Sequence, residues 1–539
     1  MTATLETAPP RSTGAGADAA DLQAFGYQQQ LRRRLGPYSS FAAGFSFVSI
    51  LTTVFQLFAF GFSFGGAAFF WTWPMVFIGQ MMVALVFAEL ASRYPISGCI
   101  YQWSRRVSRG LVGWMAGYAM LLGQVVSVSA AAIALQVVLP QVWSGFQLVG
   151  GGSSVASVSG AENAVALGAI LILATTVINV VGVKVMAIVN DVGVTCELIG
   201  VALMVALLFV HAKRGPGVVL HTTGVTSHGG YAFAFLASAL MAAYVMYGFD
   251  SAGELSEETH RPRRTAPRAI VKALAVSGIG GALLLLAALM AAPKLTDPNL
   301  STVGLPYVIT SRLGTGVGKL LLVDVSVAIC VCTMAIQTAA SRMMFSMARD
   351  GALPMSRPLA RVSRRTGTPV VPAALVGLVA VAILLVNVGQ AQLFSAITSV
   401  AVVIVYGAYL LVTAPMLVRR LRDRNWAAGA GDGPAPAAGE GFSLGRWGVP
   451  VNVLAVAYGA FMMVNIGWPR AAVYDPAGGH WYLHWFSVLF VVGAAVIGLG
   501  LYRWRSVQQT PAVAASGPAP RRYADSHRRA MASGGSGRA

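Results

Sequence analysis

The chain has 539 residues, of which 56% are hydrophobic and only 11% charged, a balance that excludes a soluble globular protein of this size and points to a polytopic membrane protein. Its formal charge of +19 does not indicate nucleic acid: with the N-terminus placed in the cytoplasm, every Lys and Arg except Lys213, Arg214, Lys294, Arg312, Lys319 and Arg470 falls in a cytoplasmic segment, the bias that sets membrane orientation. The long apolar stretches number about twelve, each near the roughly 20 residues that a helix needs to cross a hydrocarbon core of about 30 Å.

Residues 1–37 are polar and rich in Ala, Gly and Arg, and predict a disordered cytoplasmic tail that ends in Arg32, Arg33 and Arg34. No short apolar run of the signal-peptide kind precedes the first span, so that span is expected to act as the targeting signal. It runs from about Ser39 to Phe62 and carries Ser46, Ser49, Thr52, Thr53 and Gln56 inside an apolar helix. Single hydroxyls at that depth bond back to their own helix or hold neighbours, but a cluster suggests more. The second span, about Ala68 to Leu90, has Trp71 and Trp73 at its outer end as an interfacial belt and Glu89 at its inner end, placed to pair with a loop arginine.

The stretch ASRYPISGCIYQWSRRV, Ala91 to Val107, is broken by Pro95 and Gly98 and made cytoplasmic by Arg93, Arg105 and Arg106. Spans three, four and five follow at about Leu111 to Leu139, Val165 to Val185 and Val189 to Val210. Gly113 and Gly117 predict close helix packing. Span six begins near Tyr231 but is interrupted by Gly248, Asp250, Ser251, Gly253 and Glu254. Two glycines weaken the helix, Asp and Ser offer the backbone competing bonds, and a carboxylate at a helix centre costs roughly 2.5 to 3.5 kcal/mol on insertion scales. Such a break is tolerated where the freed backbone lines a cavity and binds something.

Span seven is expected at about Ile270 to Ala291, span eight at Leu320 to Met347, nine and ten at Val370 to Val388 and Leu393 to Val418, and eleven and twelve at Val449 to Trp468 and Trp485 to Tyr502. The domain reading is therefore a ten-helix core over 38–418, a cytoplasmic linker over 419–448, two further spans over 449–503 and a disordered cytoplasmic tail over 504–539. Spans one and six are both interrupted by polar residues. The Pro and Gly break after span two lies inside, whereas Gly304 and Pro306 after span seven lie outside. Five spans reverse the topology, so the first ten spans read as two inverted copies, the pattern that points to a binding site in transporters.

Four blocks carry a resemblance: FSFVSILTTVF in span one, AELASRYPISGCIYQWSRR after span two, GFDSAGELSEETHRPRRTAPR at span six and SRMMFSMARDGALP after span eight. In these the chain resembles the amino acid, polyamine and organocation permease superfamily, and within it the amino acid and choline transporter branch. The resemblance implies an all-α integral membrane fold of twelve transmembrane helices, a leucine-transporter-like 5+5 inverted repeat with helices 1 and 6 broken. Where many members carry Gly-x-Gly in span one, this chain has Ser49, Ile50, Leu51 and Thr52. The implied solute site is formed by those four residues together with Tyr247, Gly248, Phe249, Asp250 and Ser251; Tyr244 and Phe249 wall it. A half-helix start suits a carboxylate, and a half-helix end suits an ammonium group.

Asp250 either meets an amino group or a coupling proton, or caps the second half of span six. Asp191, Glu197 and Asp324 are weaker candidates for ion coupling, and span five lacks a lysine that could replace a sodium ion. The arginines from Arg261 to Arg268 and from Arg349 to Arg365 read as topology determinants and lipid-headgroup contacts. Cys99, Cys196, Cys330 and Cys332 have no ligand spacing and the seven histidines are scattered, so no metal is expected; no phosphate loop, nucleophile elbow or dinucleotide fingerprint is present, so neither a cofactor nor catalysis is expected. The function expected is secondary active transport of an amino acid or related amine across the plasma membrane by alternating access, driven by a proton or sodium gradient or by exchange. The alternatives are a choline or polyamine transporter and a transporter-like nutrient sensor.

Overall fold

A computed structural model describes residues 15–108, 110–155, 157–222, 230–386, 393–423, 441–474 and 481–515. In chain order its helices are α1 (Ala15–Ala24), α2 (Pro37–Val48), α3 (Ile50–Gly65), α4 (Thr72–Arg93), α5 (Cys99–Val107), α6 (Gly110–Val142), α7 (Val158–Val181), α8 (Val183–Val210), α9 (Tyr231–Val245), α10 (Ser251–Glu254), α11 (Pro262–Ala291), α12 (Asn299–Thr302), α13 (Leu305–Arg349), α14 (Ser356–Leu359), α15 (Val370–Val386), α16 (Leu393–Arg422), α17 (Gly448–Gly467), α18 (Ala471–Tyr474), α19 (Trp481–His484) and α20 (Phe486–Ala515). Among the described residues nine helical stretches are long and apolar enough to cross a membrane, one of them the run Pro37–Arg93 that holds the first two expected spans; Tyr231–Val245 and Val370–Val386 are shorter apolar helices at expected spans six and nine.

The interior is organised on α6 and α13. Along α6, residues from Gly123 to Gln136 are buried without interruption, as befits a helix that is apolar on every side. The outer helices turn apolar side chains outward: Ile170, Leu173 and Val177 on α7, Val192 and Ile199 on α8, and Val492 and Val496 on α20 are all exposed. A bilayer is the natural cover for such faces. Close approach is built in where small residues were noted. A Cβ on Gly113 would lie 2.5 Å from Arg105 Cα, and one on Gly117 would lie 2.8 Å from Tyr101 Cβ, so α5 packs directly on α6.

Several details differ from the sequence reading. The N-terminal arm is ordered from residue 15: α1 forms there, and Leu22, Leu31 and Leu35 are buried. Apolar residues inside a polar arm give it something to bury, which its average composition conceals; residues 1–14 lie outside the described residues. Only Trp71 behaves as an interfacial residue, at 48% exposure, whereas Trp73 is 1% exposed and donates from its indole nitrogen to the Gly278 carbonyl at 2.7 Å. Span four ends early, at Gly182, whose φ of 148° separates α7 from α8. Span eight lengthens into α13, kinked at Gly314. Of the expected linker, residues 424–440 lie outside the described residues, as do residues 516–539 of the expected tail.

The end of the molecule that carries α1 is closed by ion pairs. Arg342 binds Glu258 at 2.9 Å with both side chains fully buried, and Arg349 binds Glu257 at 2.8 Å. Arg105 and Tyr27 both reach Asp350, the latter at 3.0 Å. Arg263 holds Asp21 of the arm at 2.6 Å. The arm also adds backbone bonds: Arg34 and Leu35 donate to the Glu258 carbonyl, each at 2.9 Å. Arg349, read from sequence as a topology determinant, is thus an internal partner. Glu89 does pair with arginine, with Arg93 at 3.2 Å and with Arg420 at 2.7 Å.

Candidate functional site

Ser49 and Gly248 are the two hinges of the centre. Ser49 ends α2 with φ 36° and ψ 100°, outside helical geometry, and begins α3. A serine holds this conformation because its own groups are satisfied: its N–H donates to the Phe45 carbonyl at 2.7 Å, and its hydroxyl donates to Glu197 Oε1 at 2.9 Å. The hydroxyl oxygen in turn accepts from Thr52, from the side chain at 2.6 Å and from the backbone N–H at 3.4 Å. Glu197, projecting from α8, also accepts the Leu51 N–H at 3.0 Å. The start of α3 therefore already holds a carboxylate, drawn there by unpaired N–H groups and the positive end of the helix dipole.

The second hinge follows α9. Gly248 has φ 87°, and a Cβ there would lie 1.8 Å from Phe47 Cδ1; the left-handed backbone and the missing side chain together let α2 and the span-six break touch. The Gly248 N–H donates to the Tyr409 hydroxyl at 2.9 Å, and that hydroxyl donates to Asp250 Oδ1. Asp250 makes no capping bond to α10, so of its two readings the side-chain cap is not the one found. Ser251 binds the Ala43 carbonyl at 3.0 Å, fastening α10 to α2. Tyr247 shares a hydrogen bond with Ser127 at 2.8 Å, and its ring meets Phe47 and Tyr244 edge-on at 5.9 and 5.7 Å. Phe249 packs on Phe87 and Tyr409.

Every residue assigned to the site from sequence is buried: Ser49, Ile50, Leu51 and Thr52 on one side, and Tyr244, Tyr247, Gly248, Phe249, Asp250 and Ser251 on the other. The other polar residues of the first span serve the scaffold. Ser46 binds Asn190 at 2.7 Å, Thr53 bonds back to the Ser49 carbonyl at 2.6 Å, and Gln56 donates to the Ala130 carbonyl at 2.7 Å. Of the weaker acids, Asp191 accepts from Ser39 at 2.7 Å near the start of α2, and Asp324 presses against Gly200, where a Cβ would meet its Oδ2 at 1.7 Å.

Three further residues join the site. Cys99, from the broken loop after span two, lies with its sulfur 3.4 Å from Glu254 Oε1 and 3.8 Å from Asp250 Oδ2. All three side chains are buried and their ligand atoms lie within 4.8 Å of one another, a spacing open to a divalent cation or to shared protons. No arginine or lysine pairs with Asp250 or Glu254 among the described residues, and Glu254 Oε2 and both polar atoms of Gln124 are buried without a partner. Glu254 had a sequence signal, an acid one turn after Asp250 inside a span; Tyr409, in an ordinary apolar helix, had none. Chemically the centre offers an ammonium group two carboxylates and the carbonyl end of α9, while the start of α3, which suits a carboxylate, is taken by Glu197.

Sequence comparison bears on this arrangement. A sequence model of the amino acid permease family matches residues 35–494. The chain is 29% identical to Amino-acid permease BAT1 of Arabidopsis thaliana over 474 residues, covering 84% of this chain and 88% of that protein. It is 29% identical to Amino-acid permease BAT1 homolog of Oryza sativa subsp. japonica, covering 87% and 91%. To Amino-acid permease 2 of Neurospora crassa it is 26% identical, covering 88% and 85%.

Proposed function

The chain belongs to the amino acid permease family, and from that premise we propose that it moves amino acids or related amines across the plasma membrane by alternating access. In this reading both termini are cytoplasmic, twelve helices cross the membrane, and the core over 38–418 is an inverted repeat whose two broken helices cradle the solute. The observation that supports it most is the meeting of the two breaks: the start of α3 and the end of α9 adjoin in a buried centre, through the Phe47 and Tyr247 rings, beside two carboxylates that no arginine or lysine pairs with among the described residues. A binding site for a charged amine needs this arrangement. The solute's amine binds Asp250, with Tyr409 fixing the carboxylate's orientation.

The coupling ion in this reading is a proton. Buried carboxylates without a cation are costly, and a proton removes the charge without needing a ligand cage. An organocation transporter is the second reading, favoured by Glu197 already filling the start of α3. Uptake of labelled amino acids, 4-aminobutyrate, choline and polyamines into proteoliposomes, with proton and sodium gradients imposed in turn, tests both. Uptake of an amino acid that responds to the proton gradient and is lost in Asp250→Asn supports the first reading. Uptake of choline or polyamines alone selects the second. Silence under every gradient and in counterflow removes the transport reading.

A further inference from the structure

A helix that begins inside a protein presents its first N–H groups, and about half a positive charge, to whatever anion reaches it. At α3 that anion belongs to the chain itself. Glu197 Oε1 takes the Leu51 N–H at 3.0 Å and the Ser49 hydroxyl at 2.9 Å. Its other oxygen, Oε2, is buried with no hydrogen-bond partner. The group thus has the chemistry of an amino acid's own carboxylate, at the place where a solute's carboxylate would bind, and it is held through one oxygen only.

We propose that Glu197 is a built-in competitor for the solute's carboxylate: an amino acid binds by displacing Glu197 from the start of α3, and Glu197 takes up a proton as it leaves. The inference rests on the transport reading above. In the exchange the Leu51 N–H and Ser49 hydroxyl pass from one carboxylate to the other, so the charge at the helix start is unchanged, and one proton from the water phase converts Glu197 to a neutral acid. The surroundings require that proton. From α13, Asp324 and the Cys332 thiol face Glu197, and Asp324 Oδ2 is itself buried without a partner. At the break between α2 and α3 the partners of Glu197 are Ser49 and Leu51, and Tyr38 of α2 bonds Thr195 on α8 at 2.6 Å. On the remaining neighbours, α7 carries Glu162 in its first turns, and α11 carries Arg263, Arg264, Arg268 and Lys272 towards its cytoplasmic start. Among the described residues no arginine or lysine is paired with Glu197, so its charge, displaced within this interior, would be buried uncompensated.

The consequence is a division between solutes. An amino acid binds together with one proton; an amine without a carboxylate leaves Glu197 in place and takes none from this position. Linkage makes the effect reciprocal, so a lower pH tightens amino acid binding.

The test measures affinity in the purified full chain from about pH 8 to about pH 6, where the solute's own carboxylate stays ionised. The probes are amino acids beside their decarboxylated counterparts: L-leucine with isopentylamine, L-lysine with cadaverine, 4-aminobutyrate with propylamine. Asp250 and Glu254 act on both members of a pair, so the difference within a pair reports the carboxylate end. The amino acid is expected to gain affinity relative to its amine as pH falls, by at most about tenfold per pH unit for one proton. In Glu197→Gln the amino acid binds about tenfold tighter at pH 8 and the slope relative to its amine disappears. Equal pH dependence within every pair, or a slope that survives Glu197→Gln, overturns the inference and leaves the transport reading intact. If the variant does not fold, the native pH series decides by itself. Silence from every amino acid and every amine is the failure of the transport reading and takes the inference with it.

Discussion

Asp250, Glu254, Glu257 and Glu258 share one short stretch of sequence, yet the fold divides them into two pairs with opposite treatment. Glu257 and Glu258 each meet an arginine from the end of α13, at 2.8 and 2.9 Å. Asp250 and Glu254 meet a tyrosine hydroxyl and a thiol, and no arginine or lysine among the described residues. All four are buried. Burial therefore does not separate a structural acid from a working one; the partner does. A carboxylate with a buried arginine is finished chemistry, since removing either member strands the other charge, whereas a carboxylate held only by neutral donors remains open to a proton or an ammonium group.

The largest expected effect tests the closed pair. Arg342→Met leaves Glu258 buried and unpaired, and should cost about 3–5 kcal/mol of stability, read as a fall in the unfolding midpoint of detergent-purified protein. If Glu254→Gln cost as much, the contrast between the pairs would be broken, because that change removes a charge that has no partner to strand.

Gly248→Ala comes next. It puts a methyl group into Phe47 at a positive φ, and overpacking of this kind costs about 1–3 kcal/mol. Solute binding should fall with stability, because the hinge sets how the two halves meet. A variant that binds normally would show that the close approach at Gly248 does not shape the site.

Asp250→Asn sharpens the comparison from the open side. It keeps the shape and an acceptor for Tyr409 while removing the charge, so affinity for an amine-bearing solute should drop about tenfold, or 1.4 kcal/mol, with little change in the unfolding midpoint. Titration calorimetry and a melting curve on one sample separate the two. An unchanged affinity would move the ammonium contact from Asp250 to Glu254 or to the carbonyls of α9.

The smallest effect lies at the arm. Tyr27→Phe removes the hydroxyl that reaches Asp350 at 3.0 Å, worth about 0.5–1.5 kcal/mol. Faster proteolysis of the arm with unchanged binding is expected. Slower transport without faster proteolysis would instead implicate the arm in opening the cytoplasmic end.

Much of this was open to reading from sequence. Apolar runs of membrane-spanning length, basic loops on one side and polar interruptions in spans one and six are local features, because a bilayer imposes its demands on each segment separately. The two breaks could be located for the same reason: a break at bilayer depth is costly wherever its partners are. What was misread shares one cause. Cys99, which showed no ligand spacing in sequence, comes to lie beside Glu254 because Pro95 and Gly98 fold its segment back; Trp73, taken for an interfacial residue, is drawn in by the Gly278 carbonyl; and the arm beyond residue 15 is ordered by pairs with Glu258 and with Arg263.

The sequence by itself determined that the protein spans a membrane and where two helices must break, since hydrophobic length and helix propensity act along the chain. Only the tertiary structure decided which acids would be neutralised. An electrostatic partner is chosen by distance in space: Arg342 is remote in sequence from Glu258 and Tyr409 from Asp250, and Glu197 reaches the start of α3 from a helix that nothing near Ser49 announces.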